Sequence, residues 1–176
     1  VAVQSSGQDN ADFSDTITYG GSIGFIYADS DRLRYGFALG AHTRLEDDTT
    51  FLPIPIIAWR FDEHWSLASS PRRGGGQIAL TYAHSETLSF SAAVGFESRD
   101  FRLADDNPTP RGVGRDSRVP VSLAVDWRVH PQVSIRGEAG ANFSQQFTLD
   151  NETGDRINQL DADLGFFAGV GVTVEF

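Results

Sequence analysis

A strict two-residue alternation, held over segments of about 11 residues, is the feature that most constrains this chain. Near the C-terminus, Phe166, Ala168, Val170, Val172, Val174 and Phe176 share one face, and Gly165, Phe167, Gly169, Gly171, Thr173 and Glu175 share the other. Val119, Val121, Leu123, Val125, Trp127 and Val129 alternate with Pro120, Ser122, Ala124, Asp126 and Arg128. Val133–Phe143 sets its apolar side against Ser134, Arg136, Glu138, Gly140 and Asn142. Ile17–Tyr27 and Leu33–Ala41 follow the same rule, with glycines, Ser22, Arg34 and His42 on the second face. Side chains repeat every two residues only in a strand, and no stretch of similar length keeps a helical period. The chain is therefore expected to be all-β.

Soluble sandwiches alternate too, so the kind of sheet rests on other features. Ordinary soluble strands run about 5–6 residues, whereas these are long enough to cross a bilayer at a tilt. Their second face is small and polar, as suits a narrow lumen. Short turns at Asp29-Ser30-Asp31, Asp62-Glu63-His64, Ser85-Glu86-Thr87 and His130-Pro131-Gln132 alternate with longer or Asp-, Gly- and Pro-rich connections at 46–50, 71–76, 104–117 and 150–158. Tyr27, Tyr35, Trp59, Trp65, Tyr82 and Trp127 all lie within a few residues of a short turn, which predicts an aromatic girdle at a membrane interface. No run of about 18 apolar residues exists, so a membrane chain of this composition has only the closed barrel open to it.

The expected fold is a transmembrane up-and-down antiparallel β-barrel of 8–10 strands over residues 16–176. Residues 1–15 precede it as a segment that holds the remnant of a first strand or a loop. Counting back from the C-terminus gives strands over 156–176, 132–149, 117–130, 87–104, 74–85, 64–70, 50–62, 32–45 and 16–29. That odd total resolves to ten if Val1–Gln4 is a further strand, or to eight if 64–85 is one bulged strand. Pro53 and Pro55 each remove a ladder donor, so the strand that holds them is expected to be irregular or partly unpaired. There is no methionine, and Val1 is expected to follow a processing event or a truncation.

The closing pattern of Val172, Val174 and Phe176 resembles the signal by which the bacterial outer-membrane assembly machinery recognises its clients. Leu52-Pro53-Ile54-Pro55, the run Gly95–Leu103 and Arg118-Val119-Pro120-Val121 resemble a family of uncharacterised, porin-like outer-membrane β-barrels. The resemblance covers roughly residues 50–176. It implies a Gram-negative outer-membrane location, with membrane lipids, lipopolysaccharide and the assembly machinery as partners, but it carries no assigned activity.

Chemistry is sparse. With no cysteine, thiolate metal sites and disulfides are excluded, and a net charge of −10 disfavours nucleic acid. His42 near Glu46-Asp47-Asp48 lacks a matched catalytic partner motif, and no serine stands in a nucleophile-elbow context, so an enzyme is not expected. Asp150–Asp155 clusters oxygens but departs from the spacing of calcium loops, so neither a metal nor a cofactor is expected. The informative set is the inward charge: Arg34, Arg44, Glu97, Arg99, Asp126, Arg128, Arg136, Glu138 and Glu175. Opposite charges in a narrow barrel should pair, which favours a filled lumen and a structural or small porin-like role. A conducting pore for ions or small solutes is the alternative, and a membrane-embedded hydrolase comes third. The Arg72-Arg73 pair is available either for lipopolysaccharide phosphates or for balancing nearby acid.

Overall fold

The computed structural model describes residues 2–6, 16–43, 45, 49–72, 74–104, 106 and 108–175. Among them lie β1 (Ala2–Ser5), β2 (Ile17–Ala28), β3 (Leu33–Thr43), β4 (Thr49–Arg60), β5 (Trp65–Arg72) and β6 (Gly75–Ala83). β7 (Leu88–Arg102), β8 (Val113–His130), β9 (Val133–Asp150), β10 (Arg156–Asp161) and β11 (Gly165–Val174) complete the chain. From β1 to β10 each strand pairs antiparallel with the next in one meander. β10 and β11 stand end to end on β9, so the sheet has ten strand positions. The ambiguous stretch 64–85 is a hairpin with Trp65 opposite Tyr82, and the tenth strand is β1, paired to Ile17–Gly20.

The all-β antiparallel meander is as expected, but among the described residues the sheet is not closed into a barrel: its pairing runs from β1 to β10 and β11, with no ladder joining the two ends. Beyond Gly20, the second edge of β2 has no strand partner among those residues, and neither does that of β11.

The short turns share one local device, a side-chain acceptor that collects the main-chain donors a tight reversal leaves over. Ser30 Oγ takes the Leu33 N–H at 3.1 Å. Asp62 Oδ1 takes those of His64 and Trp65 at 2.7 and 2.8 Å. Ser85 Oγ takes that of Leu88 at 3.1 Å, and His130 Nδ1 that of Gln132 at 3.4 Å. Hydrogen bonds from the Trp65 and His64 amides hold the Asp62 carboxyl below its ordinary 3.8.

A second device is a bulge in β9. Ser144 adopts φ +49°, and the β8–β9 register shifts between Ser117 and Val119. On the other side of β9, the Ala162 N–H donates to Gln145 O at 2.8 Å where β10 gives way to β11. One irregularity thus breaks the ladder on both flanks.

Burial is inverted relative to a soluble domain. The buried apolar residues are mostly small, such as Ala38, Ala124 and Ala141, or sit at the long-loop end, such as Leu45, Leu103 and Val113. Large apolar side chains are outside: Ile23 is 82% exposed, Phe166 81% and Leu123 67%. At the long-loop end Arg102 ties distant strands together. Its N–H donates to Ser6 O at 3.2 Å, and its guanidinium to Leu45 O and Arg111 O.

Candidate functional site: an apolar outer belt and a paired charge network

Register fixes which side chains share a face. Tyr27 lies opposite Tyr35, and Tyr35 opposite Ile57. Leu67, Leu80, Ala92, Leu123, Ala139 and Ala168 continue across successive strands. This face is an apolar belt. Along β8 it runs from Val119 to Val129, about 34 Å at about 3.4 Å per residue. Above the β9 bulge the same face turns polar, with Ser98, Ser117, Asp100, Arg115 and Asp150. Arg115 there bonds Asp100 at 2.7 Å and faces Asp150 at 3.8 Å.

The six girdle aromatics gather on the belt at its short-turn end. Tyr27 and Tyr35 pack at 5.5 Å, Trp65 and Tyr82 at 4.9 Å, and Trp59 packs on Phe61 at 4.3 Å. Trp127 stands opposite Leu88 in the same zone. Val172 and Val174 lie on the belt, opposite Ile135 and Val133.

The opposite face carries charge in pairs. Glu97, with a side chain only 8% exposed, receives Arg118 at 2.8 Å, Arg72 at 3.3 Å and Arg99 at 3.6 Å. Arg72 also reaches Glu138 at 3.8 Å, and Arg118 reaches Asp116 at 3.9 Å. Arg136 bonds Asp126 at 2.7 Å and approaches Glu138 at 3.7 Å. The Arg72–Glu138 contact is diagnostic of shape. It joins β5 to β9, four strand spacings apart, which is about 19 Å in a flat sheet. The sheet therefore curls with this face concave.

Of the expected inward set, Glu97, Arg99, Asp126, Arg136 and Glu138 meet in this network. Arg34 and Arg128 lie on the same face near the short turns, opposite Ala58 and Ser134. Glu175 follows β11, where its N–H donates to Gln132 O. Arg44, Arg73, Phe176 and the loop Glu46–Asp48 lie outside the described residues, and His42 is described by its pairing to Gly20 and Thr50 alone. Sequence reasoning missed Arg72, Arg118 and Asp116. Arg72, expected in a loop, instead closes β5 with Nε on Gln77 and Nη1 on Glu97. The signal for the other two was present: even parity, followed back from Ser122, passes through Pro120, Arg118 and Asp116.

The remaining polar clusters are internally satisfied turns. Asn151 Oδ1 accepts the Thr153 and Asp155 amides, and Thr153 Oγ1 donates to Asp155. Among the described residues no group of His, Asp and Glu is placed to hold a metal ion. Among those residues, too, no helix is long and apolar enough to cross a membrane.

Residues 4–174 match the family described as Domain of unknown function (DUF6268). The chain belongs to that family. No curated protein and no solved structure matches the chain. The match runs from the end of β1 through β11, and so takes in both the belt and the charge network.

Proposed function

We propose that this chain is a bacterial outer-membrane β-barrel protein with a structural or small porin-like role. The carrying observation is the two-faced sheet: a continuous exposed apolar belt against a concave face of ion pairs. An exposed apolar surface spread over so many strands is a liability in water and a requirement in lipid. The belt on β8, about 34 Å along the strand, covers about 26 Å of depth at a tilt of about 40°, close to the apolar band of outer-membrane barrels. Further support comes from the ends of the sheet. β2 and β11 contain neither proline nor a charged residue, the usual guards of a soluble edge. In lipid such edges must be paired. β1 and β11 occupy the first and tenth positions of an antiparallel meander, so a barrel closed there is antiparallel throughout.

The concave face would then be the lumen. Arg72, Arg99, Arg118 and Arg136 are matched there by Glu97, Asp116, Asp126 and Glu138. These pairings support a filled, cross-braced interior over a conducting path. The test is reconstitution of the detergent-folded chain. Flotation with vesicles, heat-modifiable gel mobility and electrically silent planar bilayers are expected. A chain that stays soluble without detergent defeats the membrane reading, and reproducible conductance steps altered by Arg136→Ala defeat the filled lumen.

A further inference from the structure

The β4–β5 seam is unlike every other long ladder in the sheet. β4 pairs with β3 from Thr49 to Trp59, yet it meets β5 only over Ala58–Arg60. Main-chain direction explains why. The Phe61 N–H donates to Trp65 O and the Ile57 N–H to Ser69 Oγ, while the Arg60 N–H donates to Arg32 O. Odd-numbered residues of β4 therefore aim at β5 and even-numbered ones at β3. Pro53 and Pro55 are odd. On the other bank, the Ala83 N–H donates to His64 O, so even residues of β5 serve β6 and odd ones serve β4. Pro71 is odd, and the register of Ala58 with Ala68, carried onward, sets Pro71 opposite Pro55. Three prolines thus delete amides that would point into this seam. Ser69 Oγ, bonded to Ile57 N at 2.9 Å, caps the ladder where it stops.

The gap left open is an apolar crevice of ≈ 600 Å³ through the thickness of the sheet, lined by Leu52, Ile54 and Ile56 from the concave face on one bank and by Ile78, Val94 and Phe96 from the belt on the other. Ile78, Val94 and Phe96 also belong to the outer belt, so the crevice opens directly onto it. We propose that this seam is a lateral slot that holds one acyl chain of a bilayer lipid. Hydrocarbon cannot satisfy an N–H, and a stranded donor is costly, whereas a carbonyl is more tolerant. Prolines on both banks make the walls compatible with hydrocarbon. They equally argue against an inserted β-strand, which would find no amide at Pro53, Pro55 or Pro71. The volume lies in the range of pockets that enclose a small ligand. A lipid tail enters from the belt without crossing water, and in this respect the slot rests on the membrane reading.

The test is native mass spectrometry of the full chain refolded with 1-palmitoyl-2-oleoyl-phosphatidylethanolamine and released in detergent. The unaltered chain is expected to retain one lipid. Ile54→Glu, which puts a carboxylate in the slot, is expected to lower retention at least about tenfold. The triple variant Pro53→Thr/Pro55→Thr/Pro71→Thr restores the amides. It is expected to extend the β4–β5 ladder, protect the amides of residues 53 and 55 from hydrogen exchange, and expel the lipid. Equal retention by all three chains, or none by the unaltered one, overturns the slot. Vesicle flotation is scored separately: a chain that does not float defeats the lipid-facing reading, whereas one that floats but holds no more lipid than Ile54→Glu defeats the slot alone.

Discussion

Leu123→Arg separates a lipid-facing belt from a water-facing one by magnitude. Leu123 lies near the middle of the Val119–Val129 run, on the outer face, opposite Ala92 and Ala139, and is 67% exposed. Were that face in water, exchanging an exposed leucine for arginine would change stability by about 0.5 kcal/mol at most. In lipid, arginine near the midplane of a barrel's outer face costs about 2–4 kcal/mol, a factor of about 30 to 900 in the folding equilibrium. Val129→Arg supplies the depth control, because near the interface the cost falls to about 0–1 kcal/mol. The assay is urea unfolding in phosphatidylcholine vesicles, followed by the fluorescence of Trp59, Trp65 and Trp127. A Leu123→Arg cost indistinguishable from that of Val129→Arg, and below about 0.5 kcal/mol, places this face in water.

Other consequences are as specific. Glu97→Gln leaves Arg72, Arg99 and Arg118 converging without their carboxylate and should cost about 3 kcal/mol or more, whereas Asp126→Asn, at a half-exposed pair, should cost under about 1 kcal/mol; the same urea titrations compare them. Gly74 holds φ +68°, and a β-carbon added there would run into Ser98 O, so Gly74→Ala should destabilise the hairpin by about 1–2 kcal/mol or more, seen as faster exchange of the Ser98 amide. The Asp62 carboxyl titrates below 3.8 because its charged form accepts two amides. Its contribution to stability is therefore complete above its unfolded pKa and lost as pH falls through the lower folded value. Carbon-detected titration of Asp62 should show the depressed midpoint, and Asp62→Asn should flatten that part of the stability profile.

The strands were legible because a sheet with one lipid-compatible face writes its period into every segment, as Val119–Val129 and Phe166–Val174 show. Turn chemistry at Ser30, Asp62, Ser85 and His130 placed their ends to within a few residues. Other features depend on information that periodicity does not carry. Closure is a long-range property of the two edges, and alternation in β2 or β11 reads the same whether or not a neighbour is present. Arg72 lay in a stretch expected to be a loop, and only the curl of the sheet brings it within reach of Glu138 on β9; Arg118, inside the expected strand 117–130, faces Glu97 directly in the β7–β8 register. The prolines announced an irregular β4, but which neighbour they would repel depends on whether odd residues face β3 or β5. The Ser144 bulge has no glycine or proline to mark it.

Single-site spin labelling along β8 reads directly whether one face of this sheet lies in lipid. The chain contains no cysteine, so one introduced at each position from 119 to 129 reports alone. In vesicles, labels at Val121, Leu123 and Val125 should be accessible to oxygen and shielded from an aqueous nickel complex, with greatest shielding near Leu123. Labels at Ser122, Ala124 and Asp126 should not share that oxygen exposure. Equal access of the aqueous reagent to both sets would contradict the account.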